Sequence, residues 1–238
     1  MRVTIHQPQF LPWLGYLDKI DRADLFIVLD TVQFKKNEWQ NRNRIRTADG
    51  WQWLTVPVLH DFGQRVQDVR INPTAAWRDQ HLRALHMHYA RAPFRDRYLP
   101  ELRAIYSQPW TKLSELNLAV IQWLLQAYGI ATPLRCASGM VARDEPTDRL
   151  IDLCRAVGAA RYLAGPGADG YMDKPRFEAS GTALEIQQFH HPVYPQVYEP
   201  FEPNLSAIDL LLCAGPDALN RLRSRREGHA PAAVASRS

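Results

Sequence analysis

The stretch VTIHQPQFLPWLGYLDKIDRADLFIVLD, Val3 to Asp30, decides the fold. Val3, Thr4 and Ile5 are β-branched and lead to His6 and a turn-rich run, which reads as a short buried strand. His6-Gln7-Pro8-Gln9-Phe10-Leu11-Pro12 is a loop, because two prolines so close together exclude a regular helix or a central strand. Trp13, Leu14, Leu17 and Ile20 then fall near helical spacing and predict a helix from about Trp13 to Asp21. Leu25 to Leu29 is a continuous apolar run ending at Asp30, the pattern of a strand covered on both faces in a parallel sheet. Strand, helix and strand within about 30 residues make a βαβ unit.

Outward from this unit, Trp51 to Val58 (WQWLTVPV) alternates as a third strand, broken near Pro57. The middle of the chain is helical over Trp77–Tyr89, Arg97–Tyr106 and Leu113–Tyr128, the last stopped by Gly129. Then the α/β pattern returns. Thr147 is the expected cap of a helix running to about Val157, and Arg161–Ala164 is a short strand entering the loop Gly165–Gly170. Leu184–His190 reads as another strand, and Ser206 as the cap of a helix through Cys213 that Gly215 and Pro216 end. The expected architecture is α/β, a Rossmann-like parallel sheet with a helical insertion. Its core would be residues 1–73 and 129–222, with the insertion at 74–128 and a disordered tail at 223–238. Ligands of such sheets bind beyond the carboxyl ends of the strands, so His6, Asp30 and the 165–170 loop are candidates for one cleft.

The chain has 238 residues, 46% hydrophobic, enough to bury a core without disulfides or metals. Cys136, Cys154 and Cys213 are far apart with no C-x-x-C pair, which argues against a zinc ribbon or disulfide scaffold and fits a reducing compartment. The opening Met1-Arg2-Val3-Thr4-Ile5 lacks the apolar region of a signal peptide, and no window nears the ~18 apolar residues of a membrane span. The expectation is a soluble, cytoplasmic protein. The net charge is +4, and residues 35–46 alone carry five cations (Lys35, Lys36, Arg42, Arg44, Arg46) against Glu38. This patch is either a site for an anionic ligand or a solvated basic loop.

Several side chains carry candidate chemistry. Gln7, Gln9, Trp13 and Tyr16 surround a loop whose turn needs none of them, although Phe10, Leu11 and Trp13 also read as core plugs. Asp30 either caps the next turn or binds a hydroxyl, a metal or a base. Gln33, Lys36, Trp39, Asn41, Arg42, Asn43 and Arg44 form a donor-rich, aromatic-bearing segment. Arginine forks suit phosphate or carboxylate bidentately, so this segment suits a nucleotide, a nucleotide-sugar or a nucleic-acid backbone. Its shortness speaks against nucleic acid. His190-His191-Pro192 and the following Tyr194 and Gln196 make a second loop of functional composition, and adjacent histidines on an extended chain face opposite ways. Gly167 sits in a loop that reads as a phosphate loop or a plain turn. No G-x-S-x-G, Walker lysine or H-E-x-x-H pattern is present, and no residues are assigned to a metal.

The segments IHQPQFLPWLGYLDKI (Ile5–Ile20), LDTVQFKKNEWQNRNRI (Leu29–Ile45), WLTVPV (Trp53–Val58), YLAGPGADGYMD (Tyr162–Asp173), HPVYPQ (His191–Gln196) and LSAIDLLLCAG (Leu205–Gly215) resemble the WbqC-like family. That resemblance implies a link to bacterial O-antigen and related surface-polysaccharide or specialised-metabolite biosynthesis, without a reaction. The strand, proline loop and Trp13-Leu14-Gly15-Tyr16 helix start are also similar to nucleotidyltransferases of the HIGH superfamily. Trp13 and Tyr16 stand where that superfamily has its two phosphate-binding histidines, and Leu205–Ile208 resembles its second phosphate loop without the cationic partner. This similarity implies a Rossmann-like fold and a cleft at the loop.

These readings lead to an expected group transferase acting on a nucleotide-linked or phosphorylated sugar substrate. Lys36, Arg42 and Arg44 would hold the phosphate, and Gln7, Asn41 and Asn43 would orient the substrate. His6 or His191 would move a proton, with Asp30 as a further catalytic candidate. A nucleotide with Mg is the cofactor this reading allows. The alternatives are a non-catalytic nucleotide- or sugar-binding protein and an RNA-binding protein.

Overall fold

The structure is a computed structural model that describes residues 1–170 and 172–226. The Val3–Asp30 stretch forms strand β1 (Arg2–His6), helix α1 (Leu14–Asp21) and strand β2 (Leu25–Val28). β1 and β2 are parallel, with Ile5 opposite Ile27. At eight residues α1 is too short to be stable alone, so packing of Leu14, Leu17 and Ile20 holds it. The chain then leaves the sheet. β3 (Arg42–Thr47) and β4 (Gly50–Thr55) form one antiparallel hairpin, and β5 (Val58–Leu59) pairs with β6 (Arg70–Ile71) in another. Helices α2 (Trp77–His88), α3 (Arg95–Tyr106) and α4 (Leu113–Tyr128) follow. β7 (Leu134–Cys136), α5 (Pro146–Ala156), β8 (Arg161–Ala164), α6 (Lys174–Ala179) and β9 (Ala183–Ile186) complete the α/β core. α7 (Ile208–Ala214) and α8 (Ala218–Arg223) close the described chain.

The five-stranded sheet has the order β7-β2-β1-β8-β9 and is parallel throughout. Counted along the chain, its strands lie third, second, first, fourth, fifth. The winding therefore reverses between β1 and β8, as in a Rossmann-like doubly wound sheet. Side-chain alternation gives the sheet two different faces. Val3 and Ile5 join Leu150, Ile151 and Cys154 of α5 and Phe177 of α6. Phe26 and Val28 join α1, the apolar face of α4 and the hairpins in a larger core.

Several elements differ from the expectation. Trp51–Thr55 is not a strand of the parallel sheet: two residues, Ala48 and Asp49, join β3 to β4, and so tight a turn can only make an antiparallel pair. Everything between β2 and β7 thus lies outside the sheet, hairpins included. Thr147 lies inside α5. The cap is Glu145, whose carboxylate accepts from the Asp148 N–H at 2.7 Å. β9 ends at Ile186, short of His190. Residues 223–226 belong to the folded body because Arg223 and Arg226 pair with Asp21 and Asp18 of α1 at 2.6 Å. The rest of the expected tail, 227–238, lies outside the described residues. Cys136, Cys154 and Cys213 are free thiols. No helix among the described residues is long and apolar enough to cross a membrane.

The loop from Gln7 to Pro12 has no regular backbone pairing, so its buried carbonyls need donors from elsewhere. They receive them from four elements. Tyr16 Oη donates to Gln7 O (3.0 Å) and Asn117 Nδ2, on α4, to Pro8 O (3.1 Å). Asn43 Nδ2, on β3, reaches Leu11 O (2.8 Å) and Phe10 O (3.3 Å). The Ala207 N–H donates to Pro12 O. Leu11 adopts a left-handed φ of 43° within this clamp. Phe10 is anchored against His81, which lies buried near Trp77 and Tyr106. His81 pairs with Thr55 O through Nε2 (3.1 Å) and with Tyr106 Oη through Nδ1 (3.4 Å), so the neutral ring carries its proton on Nε2.

Two outcomes are expected. Asn43→Leu strands two buried carbonyls and lowers stability by roughly 3 kcal/mol, read as a shift in urea midpoint. Burial lowers the His81 pKa from 6.5 to about 4. Across that interval the unfolded chain binds a proton that the folded ring refuses, so stability falls as pH drops from 6.5 towards 4. His81→Gln loses stability at neutral pH and shows a shallower loss across that window in urea titrations.

Candidate functional site

A cleft of about 500 Å³ opens beyond the carboxyl end of β1, beside the point where the winding reverses. β1 and the clamped loop contribute His6, Gln7, Gln9 and Trp13. The segment before β3 adds Lys35, Glu38, Trp39 and Gln40, and β3 itself adds Arg44. Asn204, from the loop before α7, closes the list of walls.

Each wall is held from behind. Trp13 folds back over α1 because residue 15 is glycine, where any Cβ would overlap the indole. Gln40 donates through Nε2 to Gln7 Oε1 (2.9 Å) and accepts the Lys35 N–H through Oε1 (3.1 Å). Those bonds tie the basic segment to the β1 loop. Arg44 Cζ lies 4.9 Å from the Trp51 ring centroid and 5.7 Å from that of Trp39. Its Nη2 donates to Asn204 O at 3.1 Å. Arg42, next on the same hairpin face, sits over Trp53 with Cζ 4.1 Å from the centroid. Asn204 holds a left-handed φ of 58° and is fixed by its N–H donating to His191 Nε2 (3.2 Å).

The electrostatics of the cleft are asymmetric. Arg143, Arg149, Arg176, Arg223 and Arg226 each lie within 4 Å of a carboxylate. Among the described residues Lys35, Arg42 and Arg44 have no such partner, and the Nε groups of Arg42 and Arg44 are buried without an acceptor. His6 is driven the other way. Burial, reinforced by the nearby Lys19 ammonium, lowers its pKa to about 3, and its Nδ1 pairs with Gln7 O at 3.1 Å. The ring is therefore neutral at physiological pH, with its proton on Nδ1 and its Nε2 lone pair free to accept. Lys19 itself is buried, its Nζ 3.4 Å from Ile5 O, and desolvation lowers its pKa to about 7. Desolvation raises the Tyr16 phenol well above its ordinary range, keeping it a neutral donor.

Of the residues read from the sequence, the structure brings His6, Gln7, Gln9, Trp39 and Arg44 together in the cleft, with Arg42 alongside. Lys36 and Gln33 are exposed outside its walls, and Tyr16 is buried behind it. Asn41 and Asn43 face inward: Asn41 donates to Val56 O and Asn43 clamps the loop. Asp30 does not cap the turn that follows it: its carboxylate accepts from the distant Ser138, from N–H at 2.9 Å and from Oγ at 2.7 Å. It lines a separate, smaller cleft at the ends of β2 and β7, away from His6. His191 spends Nδ1 on Pro192 O (2.8 Å) and Nε2 on Asn204, and so supports the cleft wall. Tyr194 and Gln196 are bound to the buried Asp209 carboxylate at 2.8 and 2.9 Å. Gly167 lies in the loop after β8, outside the cleft lining.

The sequence reading places Lys35 only within the basic patch as a whole and assigns no ligand role to Glu38, Gln40 or Asn204. Lys35 and Glu38 fall inside the basic patch, where nothing local separates them from Lys36. Asn204 had one readable signal, an asparagine in a proline-bearing loop just before a helix, a position suited to left-handed backbone. Among the described residues no group of three or more His, Cys, Asp or Glu side chains is placed to hold a metal ion.

A model of the WbqC-like protein family matches residues 7–221, a span that takes in every cleft residue except His6. The uncharacterised protein Rv1507c of Mycobacterium tuberculosis is 35% identical over 232 residues, covering 95% of this chain and 99% of that protein. No solved structure matches the chain. The sequence motifs and the long matched span agree, and the chain belongs to the WbqC-like protein family.

Proposed function

We propose that the cleft binds the anionic part of a nucleotide-linked or phosphorylated substrate and that the protein is a group transferase. The observation that carries this reading is the grouping of cations that have no carboxylate within 4 Å among the described residues, Lys35 and Arg44 in the cleft and Arg42 beside it, around indole rings and a neutral His6. Arginine N–H donors suit a bidentate anion, and Arg44, which spends Nη2 on Asn204 O, keeps Nη1 without a protein acceptor among the described residues. The switch point of a doubly wound sheet is also where such folds take their ligands. Surface-polysaccharide or specialised-metabolite biosynthesis, to which the family resemblance points, uses substrates of this kind.

In the transfer step an acceptor O–H or N–H attacks the group carried on the substrate phosphate. The bond to the acceptor forms, the bond to the phosphate oxygen breaks, and its electron pair stays on the leaving phosphate. Arg44 and Lys35 stabilise that charge where it develops. The acceptor proton passes to His6 Nε2, which is unprotonated in the free protein and becomes more basic once an anion lies beside it. Asp30 and His191, both committed to internal hydrogen bonds, have no part in this step. A binding protein without turnover is the second reading, favoured by the low basicity of His6. It shares the anion site and differs in predicting a silent His6→Ala variant.

A thermal-shift panel of ATP, CTP, UDP- and GDP-sugars, CoA and short RNA, with and without magnesium, tests the reading. One anionic small-molecule class is expected to raise the melting point. A ligand at ~100 times its dissociation constant adds about 2.7 kcal/mol. Arg44→Ala and Lys35→Ala are expected to abolish the shift while keeping the fold, and Arg42→Ala to weaken it. A shift that survives Arg44→Ala, or one given by RNA alone, overturns the proposal. In NMR titrations the His6 ring of the free protein is expected to stay neutral far below 6.5, and the anionic ligand to move its pKa upward. Titration of free His6 near 6.5 would remove it from the role assigned here.

A further inference from the structure

Gln9 is the one buried side-chain amide in the cleft wall without a hydrogen bond. The residue is 6% exposed, its Oε1 is enclosed with no partner, and its Nε2 has no protein acceptor among the described residues. Its neighbour Gln7 is satisfied by Gln40, so the orphan is specific to position 9. The amide cannot move easily to find a partner, because the flanking Pro8 and Phe10 carbonyls are both clamped by buried asparagines. An unpaired buried amide is costly, and such groups in native proteins call for an explanation. The plainest one is that the partner is a ligand.

The surroundings say which kind. A primary amide presents a donor and an acceptor side by side in one plane. That pair matches a planar edge carrying an adjacent acceptor and donor, as an adenine edge does. Two indoles stand in the same cleft. Trp13 is folded over Gly15, and Trp39 leans on Trp53 with ring centroids 5.6 Å apart. Indole walls favour a flat π face, on which a base stacks. We propose that Gln9 reads the edge of a nucleobase, so that the substrate bound in this cleft is a nucleotide with its base against Gln9 and the indoles and its phosphate towards Arg44 and Lys35. This deepens the anion-site reading and rests on it.

Binding of AMP, CMP, UMP, GMP and ribose 5-phosphate to the full chain, measured by calorimetry, tests the proposal. At least one nucleotide is expected to bind about tenfold or more tighter than ribose 5-phosphate, the discrimination of one bidentate pair. Gln9→Leu is expected to bring that nucleotide down to the ribose 5-phosphate affinity while the unliganded protein melts no lower, since an orphan amide has been removed. Gln9→Glu, with acceptors only, is expected to move the preference towards GMP, whose base edge offers two donors. Equal binding of all five compounds by the parent protein overturns base reading and leaves the anion site standing. A nucleotide preference that persists in Gln9→Leu overturns it too. Failure of every phosphate to bind overturns both proposals.

Discussion

The structure depends on how the carbonyls between Gln7 and Pro12 are satisfied. Two prolines remove backbone donors from this loop and bar it from helix or sheet, yet it is buried at the carboxyl end of the central strand. Its carbonyls are met by Tyr16 of α1, Asn43 of β3, Asn117 of α4 and the Ala207 N–H before α7. Asn117 also donates to Gln40 O at 2.7 Å, extending the clamp to the basic segment. The sheet, the hairpin, the long inserted helix and the C-terminal segment therefore meet at one loop. Their relative positions follow from the need to leave no buried carbonyl unpaired, and the cleft is the space left between them.

The same accounting explains where charge ends up. Asp18 and Asp21 of α1 take up Arg226 and Arg223 and so fasten the end of α8 to the first helix. Asp209 is buried on α7, and desolvation raises its pKa against the pull of its hydrogen-bond donors. Those donors are Tyr89, Tyr194 and Gln196, and Tyr89 in turn accepts the Arg46 N–H. Arg46 itself is spent on the carbonyls of Thr47, Gly50 and Pro200. Of the five cations in the basic segment, one is thus structural, Lys36 is solvated, and Lys35, Arg42 and Arg44 lie at or beside the cleft with no carboxylate partner among the described residues. Stacking on Trp51 and Trp53 keeps the two arginines extended without neutralising them.

His6 immediately precedes Gln7 and Gln9 follows it across Pro8, and all three enter the cleft. Their environments differ sharply. His6 is neutral because burial and Lys19 penalise its charged form, Gln7 is bonded to Gln40, and Gln9 is unbonded. A cleft with unpaired cations at one part of its wall, a neutral imidazole and an open amide suits a ligand that is anionic at one end and polar but uncharged at the other.

The local chain determined the sheet strands other than β7, a three-residue edge strand with no pattern of its own, and most helices, because β-branched runs, helical spacing and glycine stops act within a few residues. Gly129 ends α4 in a left-handed conformation as its pattern requires, and β1, α1 and β2 stand within a residue or so of where the apolar pattern puts them. The loop after β1 was legible as a site because its polar side chains exceed what a turn needs. What the local chain did not contain was the partner of each polar group. Asn41, Asn43, His191, Tyr194 and Gln196 look like ligand-binding residues by type, and tertiary contacts bind them to carbonyls, an asparagine N–H and a buried carboxylate. Trp51–Thr55 alternates like any strand, and only the two-residue turn before it, closed in three dimensions, sends it to a hairpin. A side chain's chemistry is written in the sequence, but whether that chemistry is still available depends on what lies within about 3 Å of it, and tertiary packing alone decides that.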